Sequence, residues 1–255
     1  MPAAPLVDRI DDPRVTDRWC RRGPATNVTL LGVVHDHPAS VARARIVAEA
    51  MGPDVLALEL PAAAVPLYRH YASTHGGEGS PTGGEMTAAI GAAPAAKVVG
   101  IDAPNWAYVR RLVTRLVADR VAPATARRLL SSLGGATRTA LACRIAATVS
   151  HATAESVTAA ESIEYACSHE ASPAAQAAHE RRHLERVRAL LALGGGQETV
   201  TAYRDETREA CMRDRLEALS DSTADSTDDP PHVLAIVGID HLEALEGGCY
   251  AARDE

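Results

Sequence analysis

The chain has 255 residues, enough for one large domain, and folding at this size buries roughly 70–75% of the unfolded surface without a disulfide or structural metal. Hydrophobic residues at 46% and charged residues at 23% exclude wholesale disorder, while 3% aromatics and no Phe require an aliphatic, Ala-rich core. A net charge of −7, with Lys97 as the only lysine, argues against a nucleic-acid-binding face.

Met1-Pro2-Ala3-Ala4-Pro5 leads into Asp11-Asp12 and has neither the basic n-region nor the apolar core of a signal peptide. Asn27 to Val34 is a dense apolar run and reads as a buried parallel strand, ending in His35-Asp36-His37-Pro38. Ser40 is placed to cap a helix carrying Val41, Ala44, Ile46, Val47 and Ala50, which Met51-Gly52-Pro53 stops. Asp54 to Leu60 is a second strand, terminated by Pro61, and completes a βαβ unit.

A Gly/Ser/Pro-rich loop spans His75 to Gly84, a helix Glu85 to Ala93, and a third strand Lys97 to Asp102, stopped by Pro104. Trp106 to about Leu193 reads as helical and rich in Ala and Arg, with breaks near Pro123, Gly134-Gly135 and Pro173 and an end at Gly194-Gly195-Gly196. Thr199 to Leu219 is a further helix, Asp221 to Pro231 an acidic linker, and Val233 to Gly238 the last strand.

The expected fold is α/β, a mostly parallel sheet flanked by helices, in a single domain with its core in 27–105 and 197–250. The helical insertion 106–193 leaves the sheet at the carboxyl end of the third strand, so it is expected to cap the crevice there. The alternative is that it covers a sheet face. No run reaches the ~18 apolar residues that span a bilayer. The five cysteines are scattered without a C-x-x-C pair, which points to reduced structural thiols in a soluble, cytoplasmic protein.

Each apolar strand ends in ionisable residues: His35 with Asp36 and His37, Glu59, Asp102, and His241 with Asp240. Ligands of open parallel sheets bind outside the carboxyl ends of the strands, where these side chains would converge. Glu59 lies inside an apolar run, where an ionised carboxylate is costly unless paired or bound to a cation. Gly32-Val33-Val34-His35 and Gly238-Ile239-Asp240-His241 are both G-x-x-H after a buried strand. Two imidazoles and a carboxylate, His35, Glu59 and His241, make a three-ligand set with a position open for water, where a metal could activate that water and polarise a carbonyl.

Other polar groups take plainer readings. His37 forms an H-x-H with His35, as in amidohydrolase and PHP-type metal sites, but the further ligands those sites need are missing. His70, His75, His151, His169, His179 and His183 read as surface histidines. His179-Glu180-Arg181-Arg182-His183 is similar to H-E-x-x-H, yet it sits in a strongly charged stretch and reads as a solvated helix with i,i+4 ion pairs. The Arg run from Arg110 to Arg128 reads as a solvated helix face, and Gly194-Gly195-Gly196 as a helix terminator rather than a P-loop.

These residues together resemble the TraB/TIKI superfamily of α/β proteins, a group with a metal-dependent peptidase branch and distant links to erythromycin-esterase-like and ChaN-like proteins. The matching segments are the two G-x-x-H motifs, Pro53 to Leu60 with its Glu59-Leu60, and Gly83-Gly84-Glu85-Met86, similar to a G-x-E-M helix start. Arg208-Glu209-Ala210-Cys211-Met212 is similar to R-[DN]-x-x-M, with Glu209 where Asp or Asn is usual; Arg204-Asp205 is the alternative register. The resemblance covers about 27–105 and 200–245.

The resemblance implies a metal-dependent hydrolase acting on a peptide or another amide- or ester-like bond in a peptide or small-molecule substrate. A divalent ion (Mn, Co or Zn) would sit on His35, Glu59 and His241. Glu85 and Asp102 would act as general base or as orienters of the ligands, and Arg208 would clamp a substrate carboxylate or the developing oxyanion. The alternative is a non-catalytic, regulatory ligand-binding module of the pheromone-shutdown kind.

Overall fold

The structure, a computed structural model, describes residues 10–75, 84–103, 105–127, 129, 165–193, 198–221 and 230–246. The expected breaks at Gly134-Gly135 and Gly194-Gly195-Gly196, His151, and most of the 75–84 loop and the 221–231 linker lie outside these residues.

The sheet has five strands: β1 (Cys20–Arg22), β2 (Val28–Val33), β3 (Val55–Pro61), β4 (Lys97–Asp102) and β5 (Val233–Gly238). They lie in the order β1-β2-β5-β3-β4, with β1 antiparallel and the rest parallel. The described helices are α1 (Pro38–Met51), α2 (Val65–His75), α3 (Gly84–Ala92), α4 (Trp106–Ala118), α5 (Pro173–Leu193), α6 (Glu198–Ser220) and α7 (Ile239–Leu245). The last strand in sequence, β5, is inserted between β2 and β3. The carboxyl ends that carry His35, Gly238 and Glu59 are therefore neighbours, at the switch in strand order where α/β sheets bind ligands.

Successive strand side chains point to opposite faces, and both faces are covered by helices, which is why the strands read as continuous apolar runs. Leu31, Val33, Leu56, Leu58, Leu234 and Ile236 pack with Ala44 and Val47 of α1 and Met86 and Ile90 of α3. Leu30, Val55, Ala57, Val233, Ala235 and Val237 pack on the other face with Met212 and Leu216 of α6 and Leu242 and Leu245 of α7. Tyr108, Leu112 and Leu116 of α4 form a smaller cluster with Tyr203 and Cys211 of α6.

Four differences from the sequence reading have local causes. β1 is three residues of Cys-Arg-Arg with no apolar pattern, and it pairs antiparallel with β2. α2 falls on a mixed stretch whose buried Leu67 and Tyr71 are four residues apart. β3 runs one residue further than expected and ends on Pro61, which sits past a register shift, paired with Asp102. Ser40 does not cap α1. His37 caps it, accepting from Ala39 N–H at 3.1 Å with Pro38 in the first turn, while Ser40 Oγ accepts from Val34 N–H at 2.8 Å.

The charged stretch of α5 also departs from expectation, because Glu180 is fully buried. Its carboxylate pairs with the equally buried Arg43 of α1 and accepts from Ser40 Oγ at 2.5 Å. Arg43 also donates to Gly32 O at 3.1 Å and to Arg14 O at 2.5 Å, and its guanidinium stacks on Trp19, 3.8 Å from the ring centroid. Removing one partner of a buried pair strands the other charge, at a cost of about 3–5 kcal/mol. Glu180→Gln should lower the unfolding free energy, read by denaturant titration, by that order, and Arg43→Met with Glu180→Leu should lower it much less; equal losses would show that the pair is not the anchor.

Candidate functional site

The three sequence-predicted ligands meet above Gly238. A Cβ placed on that glycine would lie 3.2 Å from His35 Nε2, 3.3 Å from Glu59 Oε2 and 3.9 Å from His241 Cδ2, so the absence of a side chain there makes room for the cluster. Glu59 accepts from Gly238 N–H at 2.5 Å, and its other oxygen is 3.3 Å from His241 Nε2.

Each imidazole is held from behind by a carboxylate. His35 Nδ1 is 2.8 Å from Glu85 Oε1, and Glu85 Oε2 accepts from Asp36 N–H at 3.0 Å. Glu85 is itself buried in the first turn of α3, next to Gly84, whose φ of 51° and contact with the Asp36 side chain leave no space for a Cβ. His241 Nδ1 is 2.8 Å from Glu209 Oε1 of α6. A carboxylate on Nδ1 fixes the tautomer and turns Nε2 to the front, the arrangement found behind metal-binding histidines. The sequence reading named Glu85, which the fold brings to His35, but treated Glu209 only as a departure from a pattern; the signal that could have found its contact is a carboxylate beside Arg208 on the same helix.

Arg208 crosses the floor of the site. It donates from Nε and Nη2 to Asp102 at 3.0 and 2.7 Å and from Nη2 to Glu59 at 3.0 Å, while Nη1 lies 3.4 Å from His241 Nε2. Asp102 thus positions the guanidinium, at the end of β4 as expected. Asp240 is exposed. His35, with 49% of its side chain exposed, forms the open edge. There Tyr165 donates to the His35 backbone O at 2.8 Å, so one described residue of the 106–193 insertion reaches the site. A cavity of about 890 Å³ opens beside Asp102 between β4, α4 and α6, lined by Arg110, Arg111, Arg115 and Arg215.

The electrostatics follow from this packing. The hydrogen bond to Glu85 outweighs burial and raises His35 to about 9. Burial pulls His241 down, but its bonds to Glu209 and Glu59 prevail and lift it to about 10. Burial would push Glu59 up; the hydrogen bond and charge of His241, the charge of His35 and the Gly238 N–H instead hold it at about 2. A divalent cation would replace the two imidazolium protons without changing the net charge of the cluster. The donor set therefore fits such an ion, with the Arg208 guanidinium as the one like charge beside it.

His37, two residues from His35, points elsewhere. Asp36 has a left-handed φ of 59°, and beyond that turn His37 is buried against α5, with Nε2 2.9 Å from His179 Nδ1. His179 is therefore not a plain surface histidine. His37, Cys167 and His179 form a group that could hold a metal ion. Sequence reasoning missed Cys167 and Tyr165, which lie in a short loop with no motif.

No family model, no curated protein and no solved structure matches the chain. Among the described residues no helix is long and apolar enough to cross a membrane.

In protein stripped of divalent ions, the Glu59–His241 pair sets a stability window. The depressed carboxyl contributes stability that is present above its ordinary 4.5 and lost as pH falls through about 2. The raised imidazole contributes stability that is present below its ordinary 6.5 and lost as pH rises through about 10. Thermal unfolding should show the melting temperature falling from pH 6.5 toward 10, and His241→Gln should flatten that alkaline limb; an unchanged limb would assign it to other groups.

Proposed function

We propose that the chain is a metal-dependent hydrolase of the TraB/TIKI type, cleaving a peptide or a related amide or ester bond. The observation that carries this reading is the pair of carboxylate-backed histidines, His35 on Glu85 and His241 on Glu209, presenting Nε2 toward the buried Glu59. His35, Glu59 and His241 would hold the ion, which when bound supplies a Lewis acid and lowers the pKa of water.

The chain's own residues supply the rest. Glu85 and Glu209 orient the imidazoles and keep their lone pairs forward. Arg208, held by two bonds from Asp102, presents positive charge where a scissile carbonyl gains negative charge. Glu85 and Asp102 are thus positioning residues rather than bases, since both are taken up by the groups they orient. In the cavity beside Asp102, Arg111 and Arg115 pair with Asp214 and Glu206, and Arg110 and Arg215 are the guanidiniums that would meet a substrate carboxylate, such as a peptide's.

A second reading is a non-catalytic, regulatory ligand-binding module. The observation that favours it is that Glu59 is already satisfied by Gly238 N–H, Arg208 and His241, so the cluster is stable without an ion.

Purified protein supplied with Mn, Co or Zn should cleave members of a peptide library, and chelation should abolish the cleavage. His35→Ala and Glu59→Gln should each reduce turnover by at least about a hundredfold, in line with loss of a catalytic electrostatic or ligand group. Turnover unchanged in both variants would discard the hydrolase assignment, and no bound metal with no thermal shift by any divalent ion would favour the binding module. Gly238→Ala, which drives a methyl into His35 and Glu59, should cut activity while the fold persists, read as a lost rate with an intact circular-dichroism spectrum.

A further inference from the structure

We propose that His37, Cys167 and His179 form a second metal site, for a zinc-like divalent ion, that fastens the 165–179 segment to the start of α1 beside the candidate active site. One ligand atom from each of the three lies within 4.8 Å of the others. They come from three places in the chain: the turn before α1, the loop before α5, and the first half of α5 itself. Two imidazoles and a thiolate are the ligand types that suit zinc and cobalt rather than magnesium or calcium. His183, one turn along α5 from His179, has its ring centroid 6.4 Å from that of His37.

The surroundings of His37 set what binding must change. Without an ion, the Ala39 N–H on His37 Nδ1 puts the ring proton on Nε2, which donates to His179 Nδ1 at 2.9 Å. Coordination through Nε2 moves that proton to Nδ1, which then gives up the Ala39 N–H, with the buried Glu180 Oε1 4.0 Å away as the carboxylate on that side.

The H-E-x-x-H spacing of His179 to His183 thus has a use, but a different one from a zinc peptidase helix. Glu180 is bound to Arg43 and Ser40 inside the protein and cannot serve as a base for water. The site is structural. Tyr165, two residues before Cys167, stacks edge-on against His37 at 4.7 Å and donates to the His35 carbonyl, so an ion on Cys167 holds the insertion against the active-site turn.

The test uses cobalt(II) on the full chain under reducing conditions. One equivalent should give a thiolate-to-cobalt charge-transfer band in the wild type, and the band should persist in the His35→Ala/His241→Ala double variant. Cys167→Ser should abolish the band, and His179→Ala, at a partly exposed helix position, should weaken cobalt binding on the order of tenfold or more. Cobalt bound to the double variant without a thiolate band, or a band that survives Cys167→Ser, would overturn the proposal. Because the double variant removes the first site alone, loss of hydrolysis there with the band intact separates the fate of the two sites.

Discussion

The fold is organised around one costly group, the carboxylate of Glu59, placed near the carboxyl end of β3 with only 7% of its side chain exposed. A buried carboxylate needs positive partners and donors, and each one it recruits brings an element with it. Arg208 fixes α6 over one face of the sheet, His241 fixes α7 at the end of β5, and the Gly238 N–H draws the end of β5 against β3. The recruited cations then require carboxylates of their own. Asp102 at the end of β4 and Glu209 on α6 answer that need, so charge alternates outward from Glu59 until it reaches solvent.

The inner part of this arrangement was legible in the sequence because each member sits in a segment with a strong local signal. β2, β3, β4 and β5 are apolar runs, and a polar residue at the end of an apolar run stands out. His35, Glu59, Asp102 and His241 could therefore be assigned to one crevice without knowing the strand order. Arg208 and Glu85 were reached only through a family resemblance, since nothing in a helix sequence says which of its charges faces inward. Glu209 shows the limit, because its role depends on α6 lying beside α7, a long-range relation. β1 and α2 were missed for a related reason: one is a three-residue strand held mainly by backbone pairing, and the other has its apolar residues scattered among polar ones.

The α5 stretch misled in the opposite direction. Glu180 between His179 and a pair of arginines has the composition of a solvated face, and i,i+4 pairing within the helix was the economical interpretation. Its partner is instead Arg43, 137 positions away. That pair is surrounded by Trp19, Ser40, Arg14 and Gly32, so one guanidinium joins α5, α1, β2 and the segment before β1. An ionic contact at that position contributes registry as well as energy, since sliding α5 by a turn would leave both charges buried and unpaired.

The left-handed residue Asp36 has a consequence for how this protein can vary. It is the pivot that sends His35 to the sheet edge and His37 into the helices. Because the two histidines are separated by one residue, adding or deleting a residue in this turn would misdirect both at once. Non-β-branched residues that tolerate positive φ, such as Asn or Gly, could replace the aspartate, but the length of the turn cannot change. The spacing H-x-H therefore acts here as a ruler between two separate surroundings, the carboxyl ends of the strands and the packing of α1 against α5.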